Sequence, residues 1–370
     1  MPLAAVVLLH ASCLAQVVVD PNGIVMPMFD AESRFHEEVA RSRWTANSME
    51  YVDGASSAVL RHPYTIAHAP DGELFVASFT LNHVVRLRWI SGKRAQYKIF
   101  LKGRDLDGPV GMALDGDSLF VASFTNDVVL RVNATDGTLL GKIGNEDVLD
   151  CPEGIAFGPN GNLYVASFLL PHLSVFEPQS GKYLGKFGSL NVPRILTEPA
   201  PALPKAPKKA PMLAGAEDLA FDLNGDVHVT AYYSNSVYKF DGTTGAFEYT
   251  YGKGLVHGPV GVACDPATGD LFVASYKDNK VLRFTNDGQF LGVAAGADMS
   301  SSAAGGGVGS DSGERRRSGG GGRRARAISS PSGLAFADDG TLWVASYATG
   351  AVTRFNSSYG GGRTFWRVTE

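Results

Sequence analysis

Pro259 to Phe284 read PVGVACDPATGDLFVASYKDNKVLRF, and the centre of this stretch, Val273-Ala274-Ser275-Tyr276, decides the fold. The same phrase, Val-Ala-Ser-aromatic, stands at Val76–Phe79, Val121–Phe124, Val165–Phe168 and Val344–Tyr347, and an altered copy at Val229-Thr230-Ala231-Tyr232. Successive copies lie 45, 44, 64, 44 and 71 residues apart, so a unit of about 44 residues occurs six times. Around each phrase the order is constant: a short lead-in such as Gly258-Pro259-Val260-Gly261, an apolar run, a glycine turn, the Val-Ala-Ser strand, a short loop, a third strand, a second turn and a fourth strand. Glycine at the turns permits the positive φ that tight hairpins need. Four short antiparallel strands repeated at this period make the blade of a β-propeller. One blade cannot bury both faces, whereas six closed in a ring can. The expected fold is all-β: a six-bladed propeller over 62–370, preceded by a segment, 17–61, with a short helix and a candidate ring-closing strand.

Composition agrees with this reading. The chain has 370 residues with 44 glycines, about 12% against a usual ~7%. It contains three cysteines, too few for a disulfide-built scaffold. No run after the N-terminus is long and apolar enough to span a membrane. Net charge is −4, but inserts at about 195–213 and 294–327 carry +2 and +3, leaving −9 on the remainder. An acidic body argues against nucleic-acid binding, except weakly through the arginine loop at 315–326. Both inserts read as flexible loops, one Pro/Lys-rich and one Gly/Ser/Arg-rich. Met1 to Gln16 has an apolar stretch followed by small residues, the pattern of a signal peptide. A secreted or lumenal protein is therefore expected, with a cytoplasmic one as the alternative, and a monomer in either case. Cys151 and Cys264 fall two blades apart, too far for a disulfide, and are expected as buried thiols.

The unit resembles the NHL repeat, through Pro-x-Gly-hydrophobic-Ala, the glycine turn, Val-Ala-x, and the third element seen at Asn82-His83-Val84-Val85-Arg86 and Asn279-Lys280-Val281-Leu282-Arg283. The resemblance covers about 62–370. The usual Asp after Val-Ala is Ser here, and the Asn is lost in blade three, where Pro171 stands. More distantly the chain is similar to sugar-lactonase and streptogramin-lyase propellers. The resemblance implies the six-bladed fold and a site on the face around the central channel. It does not choose among protein-interaction modules, lactonases and lyases.

Aligning the six units shows where they differ. The second residue after each lead-in is Tyr64, Val110, Glu153, Glu217, Val260 and Ser332, with Asp218 beside Glu217. Two carboxylates from adjacent blades replace apolar or neutral residues at the channel mouth. They read either as solvated acids paired with nearby bases, or, with Asp218, as oxygen ligands for a hard divalent cation such as Ca²⁺. Carboxylates around a channel metal are also what resemblance to the lactonases implies. Two ligands are too few to define a metal. His257, just before a lead-in, joins Tyr64, Glu153, Glu217 and Ser332 as a candidate ligand-binding residue. His62, His83 and His172 also fall on this face, but no spacing fixes them as zinc ligands. The aromatics Phe79, Phe124, Phe168, Tyr232, Tyr276 and Tyr347 recur in every blade and are read as blade-to-blade packing. The bases Arg86, Arg131, Lys239, Arg283 and Arg354 recur on third strands and are read as stems lying over apolar neighbours. The repeat serines lack the strained turn of a nucleophile, so no catalytic set is assigned. The expected function is a binding module taking a protein segment or small molecule at the channel mouth. The alternative is a metal-dependent, lactonase-like hydrolase or lyase.

Overall fold

A computed structural model describes residues 17–19, 25–27, 59–91, 94–188, 213, 215–296, 328–360 and 363–368. Six four-stranded antiparallel sheets stand in a ring, each built from one contiguous segment with its strands in sequence order. The innermost strands are Pro63–His68, Pro109–Asp115, Pro152–Phe157, Ala216–Phe221, Pro259–Cys264 and Pro331–Phe336. Each packs against the inner strands of both neighbours, and the circle closes where the sixth meets the first.

Blade six completes its four strands from Pro331 to Val368, so no described blade strand comes from before Pro63. The stretch read as helical, 30–43, and the leader, 1–16, lie outside the described residues. So does most of each insert, although the fourth strand of blade five, Phe290–Gly296, runs three residues into the second. Helix among the described residues is one 3₁₀ turn, Phe124–Asn126. No helix there is long and apolar enough to cross a membrane.

The repeated phrase is apolar throughout because both faces of its strand are covered by neighbouring blades. The second strands Leu74–Ser78, Leu163–Ser167, Val227–Ala231, Leu271–Ser275 and Leu342–Ser346 are buried at every residue. Phe75 and Phe272 on these strands, and Phe120 on the second strand of blade two, Ser118–Ser123, are among the largest fully buried side chains. Each such ring contributes about 2 kcal/mol of apolar burial. Directly across the ladder from them stand Arg86, Arg131 and Arg283. Their guanidinium carbons lie 5.2, 6.0 and 5.7 Å from those ring centres, so the recurring bases cover aromatic surface as expected.

One expectation is corrected. Cys264 is a free thiol but only partly buried, and Cys151 is not a thiol at all: it is disulfide-bonded.

Candidate functional site at the channel mouth

Two devices hold the start of the inner strand in every blade, and a third recurs in most of them. The residue just before each inner strand takes a left-handed conformation in all six blades: His62, Gly108, Cys151, Gly215, Gly258 and Ser330 have φ between 49° and 68°. The carbonyl of that residue accepts a hydrogen bond from the backbone N–H of the aromatic ending the second strand, again in all six. The repeat serine fastens the residue before it: Ser78 Oγ bonds Arg61, and the N–H groups of Asp107 and His257 donate to Ser123 and Ser275 Oγ at 2.8 Å. These serines are structural. The Asn of the third element has a matching task toward the next blade. Asn82, Asn235 and Asn279, with Asp127 in the same role, adopt left-handed backbone. Their side-chain oxygens accept the N–H of Gly108, Gly258, Ser330 and Cys151 at 2.7–2.8 Å. Asn and Asp are the residues that tolerate this φ and offer a short acceptor.

Beyond each lead-in the inner strand leaves its ladder. Pro63 pairs with Ser78 and Ile66 with Val76, so the inner strand advances three residues while its partner advances two. The same shift occurs at Pro109/Met112, Pro152/Ile155, Ala216/Leu219, Pro259/Val262 and Pro331/Leu334. Each is a β-bulge, and a bulge re-aims the side chains it carries. The bulged residues line one slot: Tyr64, Thr65, Gly111, Glu153, Gly154, Glu217, Asp218, Val260, Gly261 and Ser332. The walls meet so closely that a Cβ on Gly111, Gly154, Gly261 or Gly333 would stand 2.0–2.5 Å from backbone of the next blade. The slot has room for on the order of one water.

Tyr64 reaches across this slot. Its phenol O–H donates to Glu217 Oε2 at 2.6 Å, linking blade one to blade four on the opposite side of the ring. A bond this short from a hydroxyl to a carboxylate is charge-assisted. Glu153 and Glu217 are 4% and 5% exposed, so both acids stand in the mouth rather than in bulk solvent. Asp218 occupies the place that is glycine in four other blades. Its carboxylate accepts the N–H of Leu219 at 2.9 Å and of Val262, in blade five, at 3.1 Å. Enclosure of that carboxylate raises its pKa to about 7, against the lowering effect of the two N–H bonds. Thr230, where the other blades have Ala, adds to the same junction by accepting the Asp218 N–H at 2.9 Å and donating to Val260 O at 2.5 Å.

Above the slot the aromatics form a collar. Ring centres lie 5.8 Å apart for Tyr64–Phe79, 6.2 Å for Phe79–Phe124, 6.2 Å for Tyr64–Tyr347, 5.9 Å for Tyr276–Tyr347 and 6.4 Å for Tyr232–Tyr276. The rings also lean onto the neighbouring blade, as the expected packing role requires. A Cβ on Gly108, Gly215 or Gly258 would meet Phe79, Phe168 or Tyr232 within 3.1 Å. Lys277 is a collar residue that the sequence reading missed: its ammonium lies 4.4 Å from the centre of the Tyr232 ring. Burial lowers the Lys277 pKa, while the Glu217 carboxylate acts in the opposite direction.

The structure thus brings together Tyr64, Glu153, Glu217, Asp218 and Ser332. It does not bring His257 to them: that side chain is half exposed and its Nδ1 pairs with Asp278 at 2.7 Å. The other histidines are occupied separately. His62 Nδ1 meets Thr80 Oγ1 at 2.5 Å and its ring stacks on Tyr347. His83 Nε2 meets the Val59 carbonyl at 2.6 Å. His172 is buried, and desolvation followed by the charge of Lys186 lowers its pKa to about 4. His228 sits in a closed network, with Asp222 at 3.2 Å and Tyr251 at 3.0 Å. Among the described residues, ligand atoms gather in threes within 4.8 Å at Asp127, Asp150 and Cys151, and at Asp226, Asp241 and Glu248. Disulfide bonding of Cys151 and the Lys239 ammonium, 2.8 Å from Asp226, occupy those two. Glu153, Glu217 and Asp218 do not form such a group.

No protein-family model matches the chain, and no curated protein matches it either. Solved structures do. Selenomethionine-substituted virginiamycin B lyase from Staphylococcus aureus is similar with a TM-score of 0.51 and 14% identity, covering 82% of this chain and 83% of that one. A streptogramin B lyase gives 0.51 and 13%, covering 84% and 85%. A protein of unknown function from Bacteroides thetaiotaomicron gives 0.54 and 13%, covering 80% and 69%. At these identities the likeness is one of fold.

Proposed function

We propose that the protein is a ligand-binding propeller of the NHL-repeat type, secreted or lumenal, whose ligand site is the channel mouth framed by Tyr64, Glu153, Glu217 and Ser332. The observation that carries this reading is the Tyr64–Glu217 bond across the channel. Everything that builds the blades is the same around the ring: the left-handed lead-in, the bulge and the collar aromatic. The residue at the centre of each bulge is not. Scaffold needs recur in every blade, whereas a ligand is met by different groups on different sides. Burying two carboxylates where the other blades place Val, Tyr or Ser is also unfavourable for folding alone. The third-element Asn and its bond to the next blade support the NHL assignment.

The bond also limits what enters. With Tyr64 in place, a sugar or peptide does not fit within the slot, so the ligand rests on the collar or displaces the tyrosine. A panel of small amines, acids and sugars, screened by thermal shift, tests the site. At least one class should raise the melting temperature of the wild type and not of Glu153→Gln and Glu217→Gln. A panel that shifts all three proteins alike, or none, overturns the reading. A Ca²⁺ and Zn²⁺ series in the same screen, with elemental analysis of the purified protein, tests metal occupancy directly.

A further inference from the structure

The mouth combines three features: aromatic faces above, carboxylates beneath, and one cation that the chain supplies itself. Tyr64, Phe79, Tyr232, Tyr276 and Tyr347 surround the opening, and Glu153, Glu217 and Asp218 line the slot below them. None of the residues lining the slot is basic. Into this setting Lys277 places its ammonium 4.4 Å from the Tyr232 ring centre, within the charge field of Glu217. In the aligned units the residue after the collar aromatic is Thr80, Thr125, Leu169, Tyr233, Lys277 and Ala348, so the lysine belongs to one blade and is not part of the repeat.

Resting on the ligand-site reading above, we propose that the channel mouth is a receptor for a small organic ammonium ion, and that Lys277 is a tethered competitor occupying the ammonium position. Aromatic faces attract a cation through their quadrupole, most strongly when it is desolvated, and recognition of quaternary ammonium groups is the usual use of such a collar. Carboxylates beneath the rings add charge complementarity, and the acidic body of the propeller favours arrival of cations over anions. Lys277 is an exposed residue, and partial desolvation of its ammonium beside the Tyr232 ring lowers its pKa. A quaternary ammonium gives up less hydration and displaces it. The lysine stem crosses Gly258, where a Cβ would stand 3.1 Å from Lys277 Cε, and because Lys277 is exposed its side chain can leave without unpacking the core.

The test is calorimetric titration at low salt with choline and its uncharged isostere 3,3-dimethyl-1-butanol, on wild type, Lys277→Met and Lys277→Met/Glu217→Gln. The methionine keeps the length of the stem and removes the charge. Choline should bind Lys277→Met about tenfold more tightly than the wild type and at least tenfold more tightly than the isostere does. That preference should fall with added salt and be lost with Glu217→Gln. Circular dichroism of each variant checks folding, and Glu153→Gln in the Lys277→Met background serves if the Glu217 variant is unfolded. Equal binding of choline and the isostere, with both lost in the Glu variants, overturns the cation proposal and leaves the site standing. So does acetate binding that disappears in Lys277→Met, which would make Lys277 an anion ligand. Binding of neither probe to any variant overturns the cation proposal. If the small-molecule panel also fails, the site falls with it.

Discussion

Removing the Tyr64 hydroxyl, alone and together with the Glu217 carboxylate, measures whether the ring is bridged through its channel. In Tyr64→Phe the ring remains to pack against Phe79 and Tyr347, whose centres lie 5.8 and 6.2 Å away. What is lost is one 2.6 Å bond to a carboxylate that is 5% exposed. A hydrogen bond to a charged group contributes about 1.5–3 kcal/mol. A loss of about 2 kcal/mol in a domain of this size lowers the melting temperature by about 3 °C. Glu217→Ala removes the other end. The double variant should be less destabilised than the sum of the two singles, with a coupling of about 1.5–3 kcal/mol read from guanidinium unfolding of all four proteins at matched m-values. Packing changes alone would make the substitutions additive, because the two Cα positions belong to opposite blades. Additivity to within about 0.5 kcal/mol would therefore refute a bridged channel, and with it the observation on which the site was argued.

Two further outcomes follow from the same geometry. Gly261→Ala should destabilise by at least about 1–3 kcal/mol, because its Cβ would stand 2.1 Å from the Ser332 carbonyl of blade six. Gly141→Ala, with nothing within 4 Å, should stay within about 0.5 kcal/mol, and equal melting temperatures for the two would contradict the packing of the inner strands. His172 should make the fold acid-sensitive: its folded pKa of about 4 lies below the unfolded 6.5, so the unfolded chain binds the extra proton between those values. Its contribution is complete above pH 6.5 and is lost as pH falls toward 4, by up to about 3 kcal/mol. In His172→Gln that part of the pH dependence of the melting temperature should vanish, and a slope unchanged from wild type would overturn the assignment.

The blades were legible in the sequence because burial on both faces leaves a repeated apolar strand that no surface element would show. The six positions around the channel were legible too, since a repeat register ranks equivalent residues without any knowledge of the ring. The bulges were not. An extra residue in one strand of a ladder is invisible to alternation, and it is the bulge that turns Tyr64 and Glu217 toward the channel. Their partnership depends on ring closure across 153 positions of sequence, which no local pattern encodes. His257 was grouped with them because register gives a position along the axis and not the direction of a side chain. Asp278, 21 residues on, holds it.

Blade four collects the departures, and they fall into two sets with different causes. On the second strand, His228 stands where the other blades have Phe, Tyr or Trp, and its network with Asp222 and Tyr251 is closed and buried. That set replaces aromatic packing by hydrogen bonding and needs no ligand to explain it. At the channel, Ala216, Glu217, Asp218 and Thr230 replace Pro, a mostly apolar residue, Gly and Ala. Asp218 and Thr230 are accounted for by their bonds to the backbone of blade five, which fix the junction where glycine would have left a closer contact. Glu217 points the other way, and its carboxylate accepts the phenol O–H from the far side of the channel. A junction bonded to its neighbour and carrying an acid aimed across the opening is the arrangement expected of a side chain kept in position for something that arrives from outside, because close packing of the inner strands was already available from the glycine used in four other blades.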